Sequence, residues 1–209
     1  MIGISLCGSY VPFMRIDRSM IAEIWGRGSV GGERSVANND EDAVTMAVEA
    51  SRNCIKGQQP DNIDGLYFAT TSAPYIEKMN SALIATALDL NREINTMDMA
   101  HSLRAGTGAL KAAFDAVGAG SMSHVLVAAA DCRNGYPRSD EEQIFGDAAA
   151  AVMVSKDHVA ASLEGAYAIC NEMVDVWRNS EDTFVRTWES RFILGEGYAS
   201  HMKEVVSGL

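Results

Sequence analysis

The residues best suited to chemistry lie in one short turn between a predicted strand and a predicted helix. The stretch DMAHSLRAGTGALKAAFDAV (98–117) indicates the end of a strand, a tight turn and then a helix. Ser102 in this turn could act as a nucleophile with His101 nearby as its base. A second interpretation of Ser102 is a capping hydroxyl for the helix that follows. The sequence therefore predicts a site at this turn, with Ser102 and His101 as candidate catalytic residues.

Three arginines are candidates for contacting a phosphate group. Arg27 lies in a glycine-rich loop, Arg34 comes shortly after it, and Arg104 ends the turn at 101–104. A guanidinium group matches the geometry of a phosphate, but each of these side chains could instead form a surface ion pair. We predict a surface ion pair for Arg34 and keep Arg27 and Arg104 as candidate cofactor-binding residues.

An acidic loop and a cysteine follow the strand VLVAAAD. The acidic residues of this region indicate a solvated connection; they are Asp131, Asp140, Glu141 and Glu142. Cys132 is an alternative nucleophile if it approaches the turn at 101–104. The simpler interpretation of Cys132 is a reduced, largely buried thiol.

Composition and motifs argue against several classes of protein. The 209 residues carry a net charge of −11, whereas a nucleic-acid surface needs a basic face. GAGS (118–121) ends a predicted helix instead of opening one, so it is no dinucleotide fingerprint, and no P-loop occurs. The four cysteines form no C-x-x-C pair and the four histidines no ligand spacing, so we expect neither a metal nor a disulfide framework. Without a basic leader or a bilayer-spanning run, a cytoplasmic location is expected.

Alternating strands and helices must position the turn. This alternation over residues 1–155 predicts an α/β domain with a mixed or parallel sheet. We predict a close-packed central helix at 104–120, a helix at 74–90 and a strand over 161–173. Strand signals fade towards the end of the chain, where a helix is predicted around 196–207. The first unit therefore spans 1–174, and residues 175–209 are expected to be a connector or arm with few contacts.

Four stretches of the chain, taken in order, resemble the thiolase superfamily. They are IWG with GGERSVANNDEDAVTMAVEAS (24–51), ATTSAPYIEK (69–78), SLRAGTGAL (102–110) and IFGDAAAAVMV (144–154). The chain is most similar to the archaeal and bacterial type of 3-hydroxy-3-methylglutaryl-CoA synthase, and beyond it to ketoacyl synthase III. The resemblance covers essentially the whole chain but only the first half of the family's core.

The resemblance implies both a fold and a chemistry. Two similar halves would form an α-β-α-β-α sandwich, and this chain would supply the first half with its mixed sheet and buried central helix. In the family, a cysteine of the first half accepts the acyl group of acyl-CoA as a thioester, and the second half supplies a histidine and usually an asparagine. Acyl-CoA would then be a substrate held by residues such as Arg27 and Arg104, with no tightly bound cofactor.

Two positions depart from the family pattern. The family cysteine stands two residues before a small-Gly-Thr step, which here is Ala105-Gly106-Thr107, so Leu103 occupies the nucleophile position. The family's glutamate base falls at Thr71. The chain would therefore be a component of an HMG-CoA synthase-like acyltransferase that is completed by another chain.

Two further hypotheses are an inactive scaffold or CoA-binding subunit, and a decarboxylative enzyme that needs only an oxyanion hole. By resemblance, the partners would be a second-half chain, a thiolase and a small zinc-ribbon/OB-fold protein. Neither a nucleic acid nor a membrane is expected as a partner.

Overall fold

Strands and helices alternate along most of the chain. The computed structural model describes residues 1–209, and its strands are β1 (Gly3–Tyr10), β2 (Arg15–Asp17), β3 (Glu33–Ser35), β4 (Gly65–Thr70), β5 (Asn95–Ala100), β6 (Val125–Asp131), β7 (Ala148–Ser155), β8 (Ala161–Ser162), β9 (Val176–Trp177) and β10 (Arg186–Thr187). Its helices are α1 (Arg18–Trp25), α2 (Ala43–Cys54), α3 (Asn80–Ala87), α4 (Ala105–Ala119), α5 (Asp140–Ile144), α6 (Ser190–Phe192) and α7 (Ser200–Gly208), with a π-helix at Ile193–Ala199. The predicted α/β fold class is confirmed.

A six-stranded mixed sheet forms the centre of the molecule. Its strands lie in the order β5-β4-β6-β7-β1-β8, and β4 pairs in parallel with both β5 and β6. β7 runs antiparallel to β6 and to β1. The carboxyl ends of β4, β5 and β6 therefore meet at one edge of the sheet, beside the start of β7.

Helices cover the two faces of this sheet. α2 and α3 pack on one face, together with Leu66, Phe68 and Leu126 of the strands. α4 lies on the other face and buries a stripe at four-residue spacing, Ala105, Ala109, Ala113 and Val117. Small side chains allow α4 to approach the sheet closely, as the sequence predicted. The opposite side of α4 is exposed to solvent within this chain.

Helix α3 begins later than the sequence predicted. Its first residue is Asn80 and not Pro74, because Asp98 of β5 accepts hydrogen bonds from the amides of Asn80 (2.6 Å) and Ser81 (2.7 Å) and so fixes the start of the helix. The Asn80 side chain also donates to the carbonyls of Tyr75 and Lys78, which holds the preceding residues in a turn. A carboxylate at this position is a helix cap supplied by the neighbouring strand.

The last third of the chain differs from prediction at three points. The strand predicted over 161–173 is wrong beyond β8, which pairs with β1 for two residues only. Helical structure begins at Ser190, ahead of the predicted 196. The arm also makes more contacts than expected: Val185 is 4% exposed, and its amide donates to the carbonyl of Asn134 at 2.8 Å. None of the helices combines the length and the apolar composition that crossing a bilayer requires.

Candidate active site

A cavity of about 450 Å³ opens where the three parallel strands end. Its lining comes from the turn after β4, the turn after β5, the end of β6 with its loop, and the segment before β7; the residues include Thr70, Thr71, Ser102, Leu103, Gly106, Asp131, Arg133 and Phe145. Open α/β sheets bind their ligands outside the carboxyl ends of the strands. This cavity is therefore the candidate active site.

Asp131 braces the turn that follows β4. Its Oδ1 accepts hydrogen bonds from the hydroxyls of Thr70 (3.1 Å), Thr71 (3.0 Å) and Ser72 (2.9 Å), and from the amide of Thr71 (2.7 Å). Ser72 in turn accepts a hydrogen bond from the amide of Cys132 at 2.9 Å. The prediction of a solvated connection is thus wrong for Asp131, which is a cavity residue.

The residues at the centre of the turn after β5 are held by local contacts, and the turn's one distant hydrogen bond runs from Arg104 to the carbonyl of Ile169. His101 adopts a left-handed backbone with φ of 61°, a conformation that non-glycine residues seldom take. The Ser102 hydroxyl oxygen accepts a hydrogen bond from the Arg104 amide at 3.1 Å. Ser102 and Leu103 line the cavity, whereas His101 is exposed and lies outside its lining. The structure therefore brings Ser102 into the cavity but not the imidazole predicted to assist it.

The start of α4 presents backbone donors beside the cavity. The Ala105 amide donates to the Ser102 carbonyl and the Gly108 amide to the Arg104 carbonyl, but the amides of Gly106 and Thr107 have no acceptor within the chain. The first amides of a helix normally lack intrahelical acceptors, and the helix dipole favours negative charge there. Since Gly106 lines the cavity, its amide can donate a hydrogen bond to an oxygen that becomes negative during a reaction, and the Thr107 amide is next to it in the chain.

Another part of the cavity wall combines a cation with an aromatic ring. The guanidinium carbon of Arg133 lies 4.5 Å from the ring centroid of Phe145, within the range of a cation–π interaction. Both side chains line the cavity. Neither residue was singled out from the sequence, since their contact joins the loop after β6 to the segment before β7.

Arginines of the first 35 residues hold the segment that leads to Phe145. Arg18 donates through Nε to the carbonyl of Gln143 at 2.9 Å, and Arg34 donates to the carbonyl of Glu142. The surface ion pair predicted for Arg34 is therefore wrong, because its acceptor is a backbone carbonyl. Arg27 pairs with Asp140 at 2.7 Å at the protein surface.

Cys132 faces away from the cavity. Successive residues of β6 alternate between the two faces, so Ala130 and Cys132 pack with α2 and α3, while Val127 and Ala129 pack with α4. Burial, and then the nearby Asp147 carboxylate, raise the pKa of the Cys132 thiol to about 12. Because the thiolate is the reactive form of cysteine, Cys132 is a poor nucleophile here.

The candidate Arg104 does not line the cavity; it is exposed and donates to the carbonyl of Ile169 at 3.2 Å.

The cavity thus contains one predicted catalytic residue, Ser102, and several residues that sequence reasoning missed. Asp131 carried a usable signal, because it is the last residue of an apolar strand, and the ends of parallel strands converge. The order of the strands in the sheet, which cannot be read from the sequence, was needed to place Asp131 beside Thr71.

Comparisons with known proteins find similar sequences and similar folds. No family model matches the chain. The hydroxymethylglutaryl-CoA synthase of Pyrobaculum arsenaticum is 33% identical over 217 aligned positions, which include all of this chain and 62% of that protein. This chain therefore spans less than two thirds of the length of that curated relative.

Solved structures show the same fold. A crystal structure of HMG-CoA synthase complexed with CoA superposes with a TM-score of 0.87 over 99% of this chain and 55% of that chain, at 20% identity. A 3-oxoacyl-(acyl-carrier-protein) synthase III gives a TM-score of 0.77 over 99% of this chain and 73% of that chain, at 17% identity. The architecture is therefore one half of a thiolase-like fold.

Proposed function

We propose that this chain, a member of the thiolase superfamily related to the archaeal hydroxymethylglutaryl-CoA synthases, is one component of an acyl-CoA enzyme that forms or cleaves a carbon–carbon bond. The observation that carries the proposal is the cavity at the ends of β4, β5 and β6, with the free amides of Gly106 and Thr107 beside it. The oxygen of a thioester carbonyl placed there would accept hydrogen bonds from those amides as it becomes negative. The relative that was solved with CoA supports acyl-CoA as the substrate class.

At the position that we infer for the family's cysteine, this chain carries Leu103 and therefore has no thiol. Its side chain lines the cavity and is 55% exposed, and a hydrocarbon cannot attack a thioester. Thr71 supplies no carboxylate at the position of the family's base, and its hydroxyl donates to Asp131. We infer that another polypeptide provides the groups that complete the reaction.

An apolar stripe near the end of the chain supports a partner polypeptide. Four large apolar side chains recur every four residues along the π-helix and α7, and each is exposed. They are Leu194 (63% exposed), Tyr198 (62%), Met202 (41%) and Val206 (67%). Contiguous exposed apolar surface is typical of a protein interface. The partner we propose carries the second half of the fold, alone or together with a thiolase and a zinc-ribbon/OB-fold protein.

A second candidate function is a CoA-binding scaffold without catalysis of its own. The absence of both family groups, at Leu103 and Thr71, favours this candidate. Arg104 and, at the surface, Arg27 are the side chains that we propose for the CoA phosphates. Direct covalent catalysis would need Ser102, whose hydroxyl is the nucleophilic group that this turn brings into the cavity, with His101 reoriented towards it.

Native mass spectrometry of the protein purified from its source, with acetyl-CoA added, tests the leading proposal. The expected result is a stoichiometric complex that contains this chain, a second chain and bound acetyl-CoA. A complex that binds acetyl-CoA without any turnover would favour the scaffold. Copies of this chain alone, with no bound acetyl-CoA, would contradict both candidates.

A further inference from the structure

The hairpin formed by β9 and β10 contacts a cavity-lining turn on one side and, on the other, the loop that follows a cavity-lining arginine. This hairpin, residues 176–187, is called the clasp below. On one side Nη2 of Arg178 donates to the carbonyl of Thr71 at 2.7 Å. On the other side Val185 forms a parallel bridge with Gly135, and the Phe184 ring meets the Tyr136 ring edge to face at 5.7 Å. The clasp therefore touches the turn after β4 and the loop that follows Arg133.

Thr71 has all of its polar groups engaged by residues distant in the chain. Its amide and hydroxyl both donate to Asp131, and its carbonyl accepts the hydrogen bond from Arg178. Asp131 comes from β6, whereas Arg178 comes from the arm. Thr71 is thus held by one anion and one cation, and charged groups form stronger hydrogen bonds than neutral ones.

The base of the clasp is closed and leads directly to the terminal helices. The Trp188 amide donates to the carbonyl of Asp175 at 2.9 Å, which joins the two ends of the hairpin. Arg186 of β10 pairs with Asp182 of the loop between the two strands at 2.6 Å. Two residues separate β10 from Ser190, where helical structure resumes. The exposed apolar stripe that begins at Leu194 therefore follows the clasp directly along the chain.

We propose that Arg178 is a positioning residue that holds the Thr71 turn in its ligand-binding form and so makes the arm part of the active site. The effect on ligand binding rests on the proposed function, whereas the effect on the turn does not. Removing the guanidinium frees the Thr71 carbonyl, and Asp131 is then the one remaining hydrogen-bond partner of Thr71. A hydrogen bond with one charged partner stabilises a structure enough that its loss should shift the equilibrium between the closed and the open form of this turn about tenfold or more.

Hydrogen exchange at the Thr71 and Ser72 amides, measured on the full chain, tests this role directly. Arg178→Ala is expected to speed exchange at these two amides about tenfold or more, with core amides such as that of Val127 unchanged. Arg178→Lys keeps a cationic donor and should restore part of the protection. Arg191→Ala is the matched control, because it removes the same charge from the arm and the Arg191 side chain makes no hydrogen bond or ion pair.

Calorimetric titration with acetyl-CoA gives the second readout. The dissociation constant should rise about tenfold in Arg178→Ala, less in Arg178→Lys, and not in Arg191→Ala. Unchanged exchange at Thr71 in Arg178→Ala would overturn the positioning role, whatever the affinity. If Arg178→Ala loses its cooperative unfolding transition, Arg178→Gln, which keeps the stem and a neutral donor, takes its place in both measurements. Absence of acetyl-CoA binding by the unmodified chain would count against the proposed function, while exchange would still decide the role of Arg178.

Discussion

Two neighbouring turns at the same edge of the sheet are built in opposite ways. The turn after β4 is held by side chains from distant elements, with Asp131 on one side and Arg178 on the other. The turn after β5 is held by its own backbone and by the Ser102 hydroxyl, with Arg104 alone reaching a distant acceptor, the Ile169 carbonyl, and it leaves Leu103 55% exposed. Both turns line the cavity, but only the first has its polar groups satisfied by the rest of this chain.

The contrast indicates which part of the site this chain completes alone. A network that engages every polar group of Thr71 fixes one wall of the cavity in a single geometry. The second wall keeps the free amides of the α4 start but presents Leu103, at the position that we propose for the family's nucleophile. The chain therefore provides a shaped cavity and backbone donors, and the comparison predicts that changes in the first turn cost stability while changes at Leu103 alter chemistry.

Replacing Asp131 should have the largest effect on folding. Asp131→Ala leaves one amide and three hydroxyls of the turn without their acceptor, so the free energy of unfolding should fall by about 3 kcal/mol. Urea denaturation measures the change. Asp140→Ala is the matched control, because the Asp140 side chain is 70% exposed and its pair with Arg27 lies at the surface, where such pairs contribute about 1 kcal/mol or less. Equal losses in the two variants would show that Asp131 does not brace the turn.

Asp98 should show a smaller, pH-dependent effect. Burial alone would raise the pKa of this carboxyl, but the hydrogen bonds donated by Ser81 and Asn80 outweigh burial and lower it. A lowered pKa in the folded state adds stability above the ordinary aspartate pKa of about 4, and this contribution disappears as pH falls through the folded-state value. Asp98→Asn should therefore lose about 1 kcal/mol at pH 7, with a difference from the unmodified chain that shrinks in acid.

Urea denaturation of both proteins at neutral and acidic pH measures that difference. Asp115→Asn is the control, since Asp115 is exposed on α4 and pairs only with Lys111 one turn away. A difference between Asp98→Asn and the unmodified chain that is constant with pH would contradict the assignment of Asp98 as a charged cap of α3.

Sequence patterns were sufficient for features that depend on local order, and insufficient for contacts across the sheet. The apolar run VLVAAAD and the strand-turn-helix at 98–117 predicted β6, β5 and α4 because burial and turn chemistry are local. The late start of α3 depends on Asp98, which lies on a strand 18 positions after Asn80. In the same way, Asp131 and Arg178 meet Thr71 from 60 and 107 positions away, so only the fold shows that they share a site.

Restoring a thiol at Leu103 tests the central claim most directly. Leu103→Cys should change the free energy of unfolding by no more than about 0.5 kcal/mol because the side chain is largely exposed. The start of α4 should lower the pKa of the new thiol and favour its attack on a thioester. Lys111→Cys, in the middle of the same helix, is the matched control.

The measurement is intact mass after incubation of each variant with acetyl-CoA. The account predicts one acetyl group on Leu103→Cys, at a rate well above that of Lys111→Cys, and none on the unmodified chain. An acetyl group on the unmodified chain, or equal rates for the two cysteine variants, would contradict the claim that this turn is the acyl site of a chain that lacks its own nucleophile.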